Sequence, residues 1–421
     1  MPAYKAPLDD IRFLLQDVHD VAQLAALPGF EDATPDLIDA VLVEGAKICE
    51  EVLFPINQRG DTEGVLYENG QVRTPRGFKE AYTQYAAGGW TGVSADAKYG
   101  GQGLPESVRF VMEEMLCSSN LSFSMYPGLT HGAVSALLSH GSDELKERFL
   151  PKLIDGTWGG TMCLTEAHAG TDLGIISTKA IPADGGAYTI TGTKIFISAG
   201  DHDLTENIVH LVLAKLPDAP GGTKGISLFL VPKYLPNADG TPGARNGVTV
   251  GSIEHKMGIN GSATCVLNFG EADDCYGELM GGAENEGIKQ MFHMMNGARL
   301  AVGLQGLALA SSSYLAALAY ARDRKQGPSI ESLKDPNAPK VAILHHPDIR
   351  RSLLEMKARV EGIRALIIRV AAHTDRAAFF QGKDDEQVAY HKGQVELLTP
   401  IAKAYASDQA FRVAETAIQV H

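Results

Sequence analysis

Tryptophan occurs only twice in 421 residues, and aromatic residues together make up 7% of the chain. Cysteine is scarce as well: Cys49, Cys117, Cys163, Cys265 and Cys275 are scattered and include no C-x-x-C pair. That pattern argues against a disulfide scaffold or a zinc site, and it fits a reducing, cytoplasmic compartment. Positive charge is short, with 37 Lys and Arg against 51 Asp and Glu and a net charge of −14. Neutralising nucleic-acid phosphates takes clustered cations, so no nucleic-acid partner is expected. The opening residues, Met1-Pro2-Ala3-Tyr4-Lys5-Ala6-Pro7, lack the basic stretch and apolar core of a secretion signal. Long uncharged runs are nearly missing too. Leu300 to Ala321 has the length to cross a bilayer, but Gln305, three serines at Ser311 to Ser313, and many alanines and glycines weaken its hydropathy. It reads as a helix inside a bundle or a subunit interface, with no membrane partner.

What is present is a change of period along a chain too long for one compact core. Residues 1–158 read mostly as helix: apolar residues recur at helical spacing over Ile38 to Ile48 and again over Val108 to Leu116. Lys98 to Pro105 is a turn-rich break, and Ser142 is an N-cap ahead of Asp143 and Glu144, for a helix that ends at Asp155-Gly156. Ser122 to Thr130, with Tyr126-Pro127-Gly128, reads as a helix connection and is the candidate for a pocket wall. Over residues 159–280 the pattern becomes extended, with strands at Tyr188–Thr191, Lys194–Ile197, Ile208–Ala214 and Ile226–Val231, and Gly192 separating the first two. Helical spacing returns over residues 281–421. The expected class is α+β: an N-terminal helical domain, a middle β-barrel or sheet domain, and a C-terminal helical bundle.

Two segments of the middle region carry chemistry. Cys163-Leu164-Thr165-Glu166-Ala167-His168-Ala169-Gly170-Thr171-Asp172 ends a strand in a turn of small residues, where backbone N–H groups can converge on an anion. About thirty residues on, Gly192-Thr193-Lys194-Ile195-Phe196-Ile197-Ser198-Ala199-Gly200 sets Phe196 and Ser198 two apart along a strand, on one face. The ring can stack on a planar system while the hydroxyl donates to its edge.

In this order and spacing the two segments resemble the flavin-binding middle domain of the acyl-CoA dehydrogenase family. Further landmarks extend the resemblance over nearly the whole chain. Gly89-Trp90 with Tyr99-Gly100-Gly101-Gln102-Gly103 is similar to the family's G-W…Y-G-G-x-G signature. Glu254 to Cys265 is similar to its E-x-K-x-G-x-x-x-S-x-T-C stretch, and Arg322 to Gln326 resembles its R-K-Q-F-G element without the phenylalanine. The resemblance implies FAD as cofactor. Leu164 and Thr165 would face the flavin's pyrimidine edge, with Met162 and Ile197 beside them. Phe196, where many relatives carry Trp, would pack on the ring, Ser198 would bond near N5, and Gly170 and Thr171 would meet the pyrophosphate. Arg324, His345 and His346, with Gln419 and Val420 opening a Q-V-x-G-G motif, would reach the adenine and pyrophosphate across a subunit interface. A homodimer or homotetramer follows. Thr171, Asn296 and Arg299 would hold the acyl-CoA substrate, and an electron-transferring flavoprotein would be the acceptor.

The implied reaction is α,β-dehydrogenation of the thioester, by α-proton abstraction and hydride transfer to flavin N5. Chain length and the phrase Leu398 to Tyr405 look closest to the family's large-subunit bacterial branch, which points to 3-(methylthio)propanoyl-CoA from dimethylsulfoniopropionate breakdown. The family's base is a glutamate in a Y-E-G-T loop beyond Q-V-x-G-G, or, in a minority, the residue before the arginine that Arg299 matches. Residues 1–421 contain no Y-E-G-T, and the second position is Ala298. No catalytic residue is therefore expected among them. Because the chain stops at Gln419-Val420-His421, inside the motif, a C-terminal truncation is expected, with poor flavin binding and no turnover. A non-catalytic flavoprotein or scaffold of the same fold is the alternative.

Overall fold

A computed structural model describes residues 4–21, 24, 30–282 and 284–421. The elements run α1 (Leu8–Arg12), α2 (Pro35–Lys47), α3 (Phe54–Glu63), the hairpin β1 (Leu66–Glu68) and β2 (Gln71–Arg73), then α4 (Phe78–Ala87), α5 (Glu106–Ser119), α6 (Leu121–His140) and α7 (Asp143–Ile154). Strands follow: β3 (Trp158–Cys163), β4 (Lys179–Pro182), β5 (Tyr188–Ser198), β6 (Asn207–Lys215), β7 (Ile226–Pro232), β8 (Tyr234–Pro236), β9 (Pro242–Arg245), β10 (Val248–Ile253), β11 (Thr264–Phe269) and β12 (Tyr276–Leu279). Three long helices close the chain: α8 (Gly287–Asp323), α9 (Pro347–Phe380) and α10 (Asp385–Val420). Helix, then strand, then helix is the α+β order that the periodicity predicts.

The chain forms two compact units. One contains residues 55–103 and 122–298. Its sheet has the order β10-β11-β5-β12-β7-β6-β3, with β4 pairing to β5 and β6. Strand β3 runs parallel to β6, pairing Met162 with Leu211, while β6 and β7 are antiparallel. Behind the sheet lies a core of Phe149, Leu150, Trp158, Leu211, Leu228 and Leu230. Helix α7 starts as read, with the Ser142 hydroxyl accepting from Leu145 N. Gly160 lets β3 approach α6: a Cβ there would lie 2.5 Å from that of Ala133, and Gly160 N donates to Thr130 Oγ1 at 3.0 Å.

Three sequence expectations change in this unit. The region read as mostly helical also contains the β1–β2 hairpin, whose residues are too few to display a period. Strand β5 runs unbroken through Gly192, because that glycine serves close packing: a Cβ would sit 2.4 Å from Thr178 Oγ1. Ser122 to Thr130 is not a connection but lies within α6, Pro127 included. Tertiary contacts outweigh the proline there, since the buried Tyr126 hydroxyl donates to Gly261 O at 2.9 Å and accepts from Ala263 N at 3.0 Å.

The other unit contains residues 1–54, 104–121 and 299–421. Leu304, Leu307, Met356, Ile363, Ile367, Ala402, Ala406 and Val413 form its core. Gly303 and Gly306 of α8 allow the α10 backbone near Ala402 and Ala406 to come close, where a Cβ would meet it at 3.2 and 2.9 Å. The uncharged run Leu300 to Ala321 is thus a core helix, half buried, although it has the length and apolarity of a membrane span. Arg364 of α9 bonds Glu114 of α5, Nη2 to Oε1 at 2.7 Å, and also reaches Ser311 of α8 at 3.2 Å. Asp375 caps α5, accepting from the N–H groups of Glu106 and Ser107 at 2.6 and 3.1 Å.

Candidate functional site

The two sequence segments meet where β3 ends beside β5. Beyond Cys163 the chain leaves β3, and the next two carbonyls are taken by β5: Lys194 Nζ donates to Leu164 O, and Ile195 N to Thr165 O, each at 2.9 Å. Lys194 has no exposed surface and also bonds Glu166 Oε1 at 2.9 Å. Glu166 further accepts from the N–H and hydroxyl of Ser177 at 2.7 Å each, and from those of Thr178 at 3.1 and 2.6 Å. Burial alone would raise its pKa, but Lys194 and the Thr178 and Ser177 donors outweigh burial and bring it to about 2. Lys194 is lowered by its own burial against the attraction of Glu166. Glu166 is therefore committed to structure. The turn after it closes with reciprocal 3.0 Å bonds between Glu166 and Ala169, and Asp172 Oδ1 caps a short 3-10 turn at Gly174 N, 2.9 Å.

Residue by residue, the rim of this cradle is open. Met162 and Thr165 are half-buried, Leu164 and Ile197 buried, Gly170 and Thr171 exposed. A Cβ on Gly170 would meet nothing within 4 Å, so the turn leaves room for a ligand. Phe196 departs from the expected geometry. Between Cys265↔Ile197 and Leu267↔Lys194 the register shifts, two β5 residues facing Val266 alone. This bulge breaks the alternation of β5: Ile190 and Lys194 are buried on one phase, Ile197 on the other. The sequence reading set Phe196 and Ser198 on one face of a regular strand; the strand is instead bulged at Phe196, and beyond it Ile197 is buried and Ser198 half-buried. Phe196 takes φ +58°, and the residue is 59% exposed. A left-handed phenylalanine costs on the order of 1–3 kcal/mol, and such outliers gather at ligand sites. Ser198, half-buried, pairs with Thr264, and Ala199 follows at φ +53°. An open aromatic face, an open glycine turn and a pinned backbone edge fit a planar, phosphate-bearing cofactor.

Lys194, Ser177 and Thr178 support the site and were not picked out by sequence reasoning. The signal was there: Lys194 falls on the buried phase of an otherwise amphipathic strand, a position a lysine occupies only with a partner.

The remaining predicted residues fall mostly in the helical unit. Residues 324–327 pair back onto 341–346: Ile343 N donates to Arg324 O at 2.8 Å, Gln326 N to Val341 O at 3.0 Å, and His346 Nε2 lies 2.6 Å from Gln326 O. Arg324, His345 and His346 are thereby gathered at the end of α8. The end of α10 comes to the same place, since His421 stacks on Tyr320 with centroids 4.5 Å apart and Arg324 N bonds Tyr320 O at 2.8 Å. Gln419 is exposed there and Val420 is buried in the core. Asn296 and Arg299 lie on α8, both exposed, flanking Ala298. Among the described residues no cluster of three His, Cys, Asp or Glu could hold a metal ion.

Comparison with known proteins adds the family. The chain matches the acyl-CoA dehydrogenase N-terminal domain over residues 47–157, the middle domain over 161–272 and the C-terminal domain over 285–421. It is 43% identical over 418 residues to a 3-methylmercaptopropionyl-CoA dehydrogenase of Ruegeria pomeroyi, covering 99% of this chain and 69% of that one. A butyryl-CoA dehydrogenase of Syntrophomonas wolfei is 40% identical, again over 99% and 69%. The solved structure of PigA with FAD and proline shares the fold at a TM-score of 0.69 and 22% identity, over 91% of this chain and 86% of that one. With its motifs in order and relatives of this identity matched along nearly all its length, the chain belongs to the acyl-CoA dehydrogenase family.

Proposed function

We propose that this chain carries the FAD and thioester sites of an acyl-CoA dehydrogenase for 3-(methylthio)propanoyl-CoA in dimethylsulfoniopropionate degradation, whose base is not among residues 1–421. The observation that carries the cofactor reading is Phe196, a large apolar ring turned outward on a strained bulge beside an open Gly170-Thr171 turn. FAD, when bound, supplies the two-electron acceptor that desaturation requires. Phe196 offers it a stacking face, Ser198 a hydroxyl donor, and Leu164 and Thr165 the edge contacts, with Met162 and Ile197 alongside. Gly170 and Thr171 leave space for the pyrophosphate. Arg324, His345, His346, Gln419 and Val420 serve the cofactor of a second copy in a homodimer or homotetramer. Thr171, Asn296 and Arg299 hold the CoA thioester. The acceptor is an electron-transferring flavoprotein, and the compartment is the cytoplasm.

Removing an α-proton takes a positioned carboxylate. Glu166 is engaged by Lys194, Ser177 and Thr178, and Ala298 has no proton acceptor. Residues 1–421 alone are thus expected to bind the cofactor poorly and without turnover. Ala298→Glu places a carboxylate at the position a minority of the family uses. Anaerobic mixing of the FAD-loaded protein with 3-(methylthio)propanoyl-CoA or butyryl-CoA tests this. The expected result is bleaching of flavin absorbance in Ala298→Glu, fastest with the methylthio substrate, and none in the unmodified chain. No bleaching of either protein by any acyl-CoA would favour the second reading, a non-catalytic flavoprotein, which Ala298 itself supports.

A further inference from the structure

A completely buried ammonium is retained only where its partners offset its lost hydration. Lys194 has two such partners of different kinds. Glu166 supplies the countercharge, while the second bond goes to the main-chain carbonyl of Leu164, one residue past the end of β3. The next residue, Ile195, holds the Thr165 carbonyl through its own N–H. The one after it, Phe196, is the ring turned outward by the bulge. Three consecutive residues of β5 therefore set the Leu164 backbone, the Thr165 backbone and the exposed aromatic face. Glu166 is tied in turn to Ser177 and Thr178, which anchors this arrangement to the segment entering β4.

We propose that Lys194, held by Glu166, is a positioning residue for the flavin: it joins the two halves of the cradle into one rigid edge, so that its loss weakens cofactor binding out of proportion to its effect on folding. This inference rests on the flavin reading of the site. Lys194→Met removes both bonds. Leu150→Ala is the control, a fully buried residue of the same unit's core that destabilises without belonging to the cradle.

Thermal melting of the flavin-free proteins and titration with FAD, followed by flavin fluorescence and visible circular dichroism, make the comparison. Both variants are expected to melt lower. Only Lys194→Met should weaken FAD binding tenfold or more and change the dichroism of the bound flavin; Leu150→Ala should stay within about threefold. Equal weakening in the two, or none in Lys194→Met, would overturn the positioning role. If Lys194→Met does not fold, Glu166→Gln carries the test, since it keeps an acceptor for Lys194 but loses the countercharge; a threefold to tenfold loss is expected, and an unchanged affinity overturns the role. A folded, unmodified chain that does not bind FAD at all would instead refute the flavin reading itself.

Discussion

Among the described residues, each unit holds one ion pair whose two side chains are both fully buried, and the two are built for different ends. In the helical unit, Arg364 and Glu114 join α9 to α5, with Ser311 of α8 as a third member. All three are side chains on helices whose backbone bonds are already made, so the pair locks helices and nothing else. One donor is even left over: Arg364 Nη1 is buried with no partner among the described residues. In the sheet unit, Lys194 and Glu166 spend most of their bonds on main-chain groups and hydroxyls of irregular segments. The first pair selects a packing; the second selects the course of a loop. A buried pair alone is weak evidence for stability, so the identity of its extra partners is what reveals its role.

The contrast can be broken most sharply at Arg364. Arg364→Met leaves Glu114 buried and unpaired, and a loss of about 3–5 kcal/mol is expected in calorimetric unfolding. Pairing it with Glu114→Gln should recover much of that loss, because the stranded charge goes too. FAD affinity should follow only the folded fraction.

An acid titration separates the pairs next. The folded-state pKa of Glu166, about 2, lies below its ordinary value of 4.5. Its stabilisation is therefore complete above pH 4.5 and lost as pH falls toward 2. The difference corresponds to at most about 3 kcal/mol. Urea unfolding monitored between those limits should show a steep decline in the unmodified protein and a shallower one in Glu166→Gln. An identical slope in both would mean that Glu166 does not carry the charge.

The smallest effect concerns the sheet unit's supporting helix. Ser142→Ala removes the α7 N-cap bond and should cost about 1 kcal/mol in calorimetry, without touching FAD binding. It sets the scale of an ordinary local defect against which loss of Lys194 can be judged.

Most of the fold was legible because its elements are long and periodic. Helices α5 and α7, strands β6 and β7, and the return to helix before α8 all follow from apolar spacing and caps. The β1–β2 hairpin was hidden by its brevity, and α6 by Pro127-Gly128, a local breaker overruled by the buried Tyr126 hydroxyl. Of the candidate site, the turn from Gly170 to Asp172 and the Phe196–Ser198 strand stood out, since small residues and an aromatic beside a hydroxyl have few other uses in that order. The bulge at Ile195-Phe196 did not. A bulge is a mismatch between two strands, and β11 lies some seventy residues away in the chain.

The sequence by itself determined the order of elements, the acidic balance, the family motifs and the lack of a carboxylate at position 298. These depend on composition, on spacing along one strand or helix, or on a single residue type. Tertiary structure alone decided that Phe196 turns outward, that Lys194 reaches the Leu164 carbonyl, and that Glu166 is held as an anion. Each of those needs the end of β3 and the middle of β5 to arrive within hydrogen-bonding distance, and thirty residues of chain between them carry no local signal of that meeting.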